Sequence, residues 1–206
     1  DTLAEIATEK AGIIKPDGYL ISAAQDPEVA TILLDTARKQ NAKYAFEGVE
    51  FGVVERARAV GGQLLTLRGL AGEYPDIELP LHGEHQGQNA SLALAAVEAF
   101  FGGDRALARD VVLAGFAQVR SPGRLEMIRS EPLVVLDAAH NPHGVRAAST
   151  AFKEAFELSH VHAVVGILGE KDALGIFEVL REEYVDSTDA TFRLYLSASD
   201  SSRAIA

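Results

Sequence analysis

Apolar positions change their period several times along the chain, and each change marks a predicted element. Leu3, Ile6 and Ala7 form one stripe at helical spacing. Thr2-Leu3-Ala4-Glu5 ahead of it fits a capping box, with Thr2 at the N-cap and Glu5 reaching back. Gly12 ends this helix and Pro16 keeps it from resuming. Gly18 to Ala24 reads as a short buried strand. Asp26-Pro27 opens an Ala- and Leu-rich helix to about Lys39, and Tyr44 to Phe46 reads as another strand. Between Val49 and Leu81, Gly61-Gly62, Gly69 and Gly72 separate short β-branched and Leu runs, which predicts a twisted hairpin or meander. Asn89 to Phe101 is helical and apolar on most faces, Gly102-Gly103 breaks it, and Asp104 is the expected cap of a further helix to about Ala114.

A linker from Gln118 to Arg124, with Ser121-Pro122-Gly123, divides the chain into expected domains 1–120 and 121–206. Beyond it, Pro132 to Leu136 is a continuous apolar run, as in a strand buried on both faces between other strands. A helix from about His143 to Glu157, a strand His162 to Ile167, a helix Leu174 to Tyr184 and a strand Phe192 to Ser197 follow. That alternation predicts an α/β fold with parallel βαβ units. By this reading, an antiparallel hairpin at Pro132 to Leu136 would make the domain assignment fail. The chain opens on a capping residue and stops soon after a strand, so the expectation is a piece of a longer enzyme, with the second domain incomplete.

Composition narrows the function. The 206 residues are 48% hydrophobic and 24% charged, within the range of a folded globular protein. Nineteen Lys and Arg against thirty Asp and Glu give a net charge of −11. So acidic a chain lacks the electrostatic footprint for nucleic acid, although a few local donors suffice for a nucleotide. The absence of Cys excludes disulfides, thiolate catalysis and Cys-based zinc sites. No apolar run reaches bilayer length and no charged-then-apolar leader opens the chain, so a soluble cytoplasmic protein is expected.

Candidate chemistry sits at one strand tip. Asp137-Ala138-Ala139-His140-Asn141-Pro142 follows the apolar run, and ligands of open parallel sheets bind at the carboxyl ends of strands. Asn141 and Pro142 are accounted for as N-cap and first turn of the next helix. Asp137 is not, because a carboxylate at a buried strand end needs a partner. Arg124 after Pro122-Gly123 is either a solvated turn residue or a bidentate phosphate contact. Asn89 is either an N-cap or an amide for an adenine edge. Lys10, in the last turn of the first helix, suits the helix dipole.

Taken together, these segments resemble a known family. Glu9-Lys10-Ala11-Gly12-Ile13-Ile14-Lys15-Pro16, with Thr2 to Ala7 before it, is similar to the central-domain motif of folylpolyglutamate synthases and bifunctional dihydrofolate synthases, members of the Mur ligase superfamily. Gly83-Glu84-His85-Gln86 with Asn89-Ala90 resembles their G-x-H-Q-x-x-N-A segment. Pro122-Gly123-Arg124-Leu125-Glu126, followed by Leu136-Asp137 and Ala139-His140-Asn141-Pro142, resembles their PGR…LDGAHNP pattern, with Ala138 in place of the usual Gly. Gly169 to Asp172 matches a further motif loosely. The resemblance covers nearly the whole chain, in the family's order.

The resemblance implies the end of an ATPase central domain joined to a Rossmann-like C-terminal domain with a parallel sheet. It implies ATP and magnesium as cofactors, and dihydropteroate or folates with L-glutamate as substrates. A phosphate would pass to a carboxylate and glutamate's amine would attack the acyl phosphate. Asn89 would contact adenine, Arg124 the phosphates and Asp137 the ribose or its neighbourhood, with His140 beside the nucleotide. Lys10 matches the family's carbamate-bearing lysine and would lie near magnesium only in that form. The family's phosphate loop and magnesium-binding Glu and His lie upstream of these motifs, and this chain has no such loop. The chain alone is therefore expected to bind ATP weakly and turn nothing over, and the protein is expected to be a monomer with no nucleic-acid or membrane partner. A non-catalytic nucleotide-binding or regulatory module of the same fold, and a cell-wall Mur ligase, are the alternatives.

Overall fold

The computed structural model describes residues 2–157, 159–186 and 190–197. The chain divides into two compact units, Asp1–Pro80 with His85–Val119, and Leu81–Glu84 with Arg120–Ala206. The architecture is mixed α/β, with both parallel and antiparallel pairs.

In the first unit, helix α1 (Leu3–Ala11) opens on the expected capping box, with the Thr2 and Glu5 side chains each bonded to the other's backbone N–H. Strand β1 (Tyr19–Ser22) pairs in parallel with β2 (Lys43–Phe46), and α2 (Pro27–Lys39) makes the connection between them. A parallel pair needs such a crossover, and the Pro27 start and 13-residue helix supply it. Two small cores result. Ala11, Ile14, Ala37 and Ala42 pack α1 and α2 together. Ala45, Phe51 and Ala95 form the other, with Tyr19, Ile21 and Leu92 against them. Alanine at these positions lets the elements approach closely.

Strands β3 (Gly52–Ala59), β4 (Gly62–Arg68) and β5 (Glu73–Leu79) form the expected antiparallel meander, in that order. Along β4 and β5, Leu65, Leu67, Ile77 and Leu79 are buried. Helix α3 (Glu84–Phe100) starts five residues earlier than the apolar pattern suggests. Gly83 at φ 95° turns the chain into it, and Glu84 suits the positive helix end. Asn89 is thus inside the helix and not its N-cap. Asp104 is not a cap either, since α4 runs Arg109–Ala117 with Ala108 before it. The Leu107 N–H donates to the Tyr74 hydroxyl at 2.7 Å, so the segment ahead of α4 is held out of the helix.

One polar cluster is buried in this unit. Glu98 on α3 is fully buried, and its carboxylate accepts from the Leu70 N–H, from the Ala71 N–H at 3.3 Å and from the Tyr74 hydroxyl at 2.6 Å. Burial, then the bond to Glu98, pushes the Tyr74 phenol up to about 12.

The second unit corrects one expectation outright. Strand β6 (Glu126–Ser130) and β7 (Leu133–Leu136) form a two-stranded antiparallel hairpin, with Ser130 opposite Leu133. The apolar run therefore does not lie between parallel strands, and Leu133 and Leu136 are 39% and 48% exposed. The reason is chain length: two residues link β6 to β7, and a parallel crossover needs about a dozen or more. Parallel pairing starts later, where β8 (His160–Val165) pairs with β9 (Thr191–Leu196) around α6 (Ala173–Tyr184). Helix α5 (Pro142–Ala155) packs on α6. Their core is Val145, Val161, Ile176, Val179, Leu180 and Tyr184. At the rim, Arg146 bonds Glu182 and Glu183 at 2.6 and 3.0 Å, and Lys153 bonds Glu183 at 2.5 Å.

Candidate functional site

Arg124, Asp137 and His140 lie on one connected arrangement in the second unit. The Arg124 N–H donates to the Ser121 carbonyl at 3.1 Å, closing a turn with Pro122 and Gly123 at its centre. Gly123 has φ 68°, as the third position of a type II turn requires. Leu125 then has φ 46°, a left-handed conformation costing a branched residue about 1–2 kcal/mol. Its side chain is buried, and its N–H donates to Asp137 Oδ2 at 2.9 Å. Asp137 Oδ1 accepts from the Ala139 N–H at 2.7 Å. The Ala138 N–H donates to the Gly123 carbonyl at 2.7 Å, and the Gly123 N–H donates to Glu126 Oε2 at 2.9 Å.

Asp137 is exposed, so burial does not demand a partner for it as the sequence suggested; its carboxylate nonetheless accepts from the backbone of the Arg124 turn. Ala138 is not among the residues with positive φ, so the departure from glycine carries no backbone strain. The Arg124 side chain is exposed, and among the described residues it makes no ion pair. His140 is exposed as well, with Nδ1 3.1 Å from the Ala138 carbonyl oxygen. A carbonyl only accepts, so in this contact Nδ1 carries the proton. Asn141 caps α5, its Oδ1 accepting from the Gly144 N–H at 2.7 Å, and Asp172 caps α6 in the same way through the Gly175 N–H.

The remaining two candidates lie in the first unit. Asn89 is exposed in the second turn of α3 and donates to Gln86 Oε1 at 3.3 Å. Lys10 is exposed in the last turn of α1 and pairs with Glu9 at 2.8 Å, which holds the Glu9 carboxyl below its usual range. No group of three or more His, Asp or Glu that could hold a metal ion occurs among the described residues. A carbamate on Lys10 would face the Glu9 carboxylate and the negative helix end, both unfavourable. The described residues thus do not by themselves make a magnesium cage.

Glu126 and Glu98 are the residues that sequence reasoning passed over. Glu126 was visible only as the last letter of a motif. Glu98 was visible as a single carboxylate in an otherwise apolar stretch of α3, a pattern that requires buried partners.

Residues 123–204 match the family model described as Mur ligase, glutamate ligase domain. Over 197 residues, 92% of the chain, the sequence is 49% identical to the dihydrofolate synthase/folylpolyglutamate synthase of Mycobacterium tuberculosis. It belongs to the folylpolyglutamate synthase family. The chain spans 40% of the length of that relative. Among solved structures, the M. tuberculosis folylpolyglutamate synthase complexed with ADP and AMPPCP superposes over 100% of the chain and 45% of its own, at 45% identity and a TM-score of 0.91. An FPGS–AMPPCP–folate complex, 25% identical, superposes over 96% of the chain and 54% of its own with a TM-score of 0.82. No helix among the described residues is long and apolar enough to cross a membrane.

Proposed function

We propose that this chain is part of an ATP-dependent ligase that adds L-glutamate to dihydropteroate, to folates or to both. The observation that supports this reading best is the 49% identity over 92% of the chain. In the proposed reaction, the substrate carboxylate attacks the γ-phosphorus of ATP, giving an acyl phosphate and ADP. The glutamate amine then attacks the acyl carbon, phosphate leaves, and the amine loses a proton to give the amide. There is little covalent work for the protein, so its task is to position the phosphate and neutralise developing charge.

Arg124 is assigned to the phosphates, where a planar guanidinium gives bidentate contact. Its exposed side chain on a hydrogen-bonded turn suits that role. Asn89 is assigned to the adenine edge and His140 to the nucleotide's side. Each Asp137 oxygen keeps a lone pair beyond its backbone bond, enough for a ribose hydroxyl. Magnesium and a Lys10 carbamate belong to the same proposal, but no step is derived through them, because the described residues supply no metal cage. The protein is assigned as a cytoplasmic monomer.

The test is ADP release with the protein of the whole reading frame. Release that requires both L-glutamate and a pteroate or folate supports the ligase. Nucleotide binding without ADP release under any substrate pair supports the non-catalytic module instead. For the 206 residues alone, calorimetry is expected to show weak ATP binding and no turnover.

A further inference from the structure

We propose that Asp137 and Glu126 are positioning residues that lock the turn Ser121 to Leu125 and so fix the direction in which Arg124 is presented. The proposal rests on the reading of Arg124 as a phosphate contact. Four backbone polar groups around that residue are held. The Gly123 N–H goes to Glu126 at 2.9 Å, and the Gly123 carbonyl accepts from the Ala138 N–H at 2.7 Å. The Arg124 N–H goes to Ser121 at 3.1 Å, and the Leu125 N–H goes to Asp137 at 2.9 Å. Leu125 is held twice, because its buried side chain anchors a conformation at φ 46° that the bond to Asp137 also selects. The guanidinium at the centre of this frame has no ion-pair partner among the described residues. A cation free at its tip and fixed at its base needs no reorganisation to meet an anion.

The arrangement explains why carboxylates stand here at all. Two negative groups beside a phosphate contact would be repulsive if they faced the ligand. Each instead spends its oxygens on backbone N–H groups. Asp137 uses both oxygens, on Leu125 and Ala139, so its amide would offer one acceptor and set an NH₂ group against an N–H. Glu126 uses one oxygen, so an amide at that position keeps the acceptor that matters. The two positions therefore respond differently to the same change. A direct ribose contact through Asp137 would tolerate Asp137→Asn, because the amide still offers hydrogen bonds to a hydroxyl.

The experiment is a set of double-mutant cycles in the protein of the whole reading frame, reading kcat and KM for ATP. Asp137→Asn and Glu126→Ala are each expected to lower kcat/KM about tenfold when Arg124 is present, through misplacement of the guanidinium. With Arg124→Ala already made, Glu126→Ala is expected to cost less than about twofold, since it then has nothing left to position, and Asp137→Asn is expected to cost clearly less than it does with Arg124 present, what remains being its ribose contact. Glu126→Gln is expected to stay within about twofold of the parent. On the 206-residue chain, amide exchange at Leu125 is expected to quicken in Asp137→Asn, with no substrate present. Effects that multiply independently of Arg124, a harmless Asp137→Asn, or unchanged Leu125 exchange would each overturn the proposal. If Arg124→Ala itself leaves both constants unchanged, the phosphate assignment fails and this role falls with it. Leu125 exchange then still reports whether the two carboxylates hold the turn, so the two failures are distinguishable.

Discussion

Replacing Glu98 by alanine removes the acceptor for three donors at once, one buried and two part-buried, and the cost can be worked from the geometry. The Leu70 N–H, the Ala71 N–H and the Tyr74 hydroxyl all end on this one carboxylate, which is fully buried. A buried donor left without a partner costs about 1–3 kcal/mol. The Ala71 bond at 3.3 Å is the weakest of the three, and water can enter part of the vacated space. A net loss of about 3–5 kcal/mol is expected, a large part of the ~5–15 kcal/mol that stabilises a typical domain. Glu98→Gln should cost less, about 1–2 kcal/mol: one oxygen still serves the two backbone N–H groups, and the new NH₂ displaces the Tyr74 hydroxyl from its acceptor. The Tyr74 oxygen, which already accepts from the Leu107 N–H at 2.7 Å, can also accept from that NH₂, but its own O–H is then left without an acceptor. Urea unfolding followed by circular dichroism gives the stability, and amide exchange at Leu70 and Ala71 locates the loss in the first unit. A change below about 1 kcal/mol in Glu98→Ala would refute the reasoning, since it would mean that these donors find water as readily as they find Glu98.

In the protein of the whole reading frame, Arg124→Ala should lower kcat and raise KM for ATP. Loss of a preorganised charge contact costs on the order of 3 kcal/mol, roughly a hundredfold in rate; steady-state kinetics at saturating glutamate with both constants unchanged would leave Arg124 a solvated turn residue. His82 packs its ring on Phe156 at 5.4 Å, and burial pushes its pKa below 6.5, with nearby Glu154 opposing the shift. The unfolded chain therefore takes up a proton below 6.5 that the folded chain refuses, so stability is full above that pH and falls as pH drops toward the folded value. A lower urea midpoint at about pH 5.5 than at about 7.5, with the difference reduced in His82→Phe, is the expected result. A His82 ring proton titrating above 6.5 by NMR would contradict it.

Local signals in the sequence were reliable where the physics is local. The Thr2–Glu5 box, the Pro27 helix start and the Asn141-Pro142 cap each involve residues at most four apart, and the structure contains all three. The glycine spacing between Val49 and Leu81 likewise determined a meander, because short loops leave antiparallel neighbours as the available pairing. The candidate residues of the second unit were legible as types: a carboxylate at a strand tip, an arginine in a Pro-Gly turn, an imidazole before a cap. What those groups touch was not. Asp137 meets the Leu125 N–H from twelve residues away, and Glu98 meets Leu70 and Tyr74 from 28 and 24. The run Pro132 to Leu136 shows the same limit for the fold. Its composition set a strand, but an apolar strand carries no record of its neighbours, and the two-residue link from β6 paired it antiparallel with its faces partly exposed. Periodicity reports the environment a segment can tolerate. Which partner fills that environment is decided by chain length, turn geometry and the hydrogen-bonding needs of groups far apart in sequence, and those meet only in the folded chain.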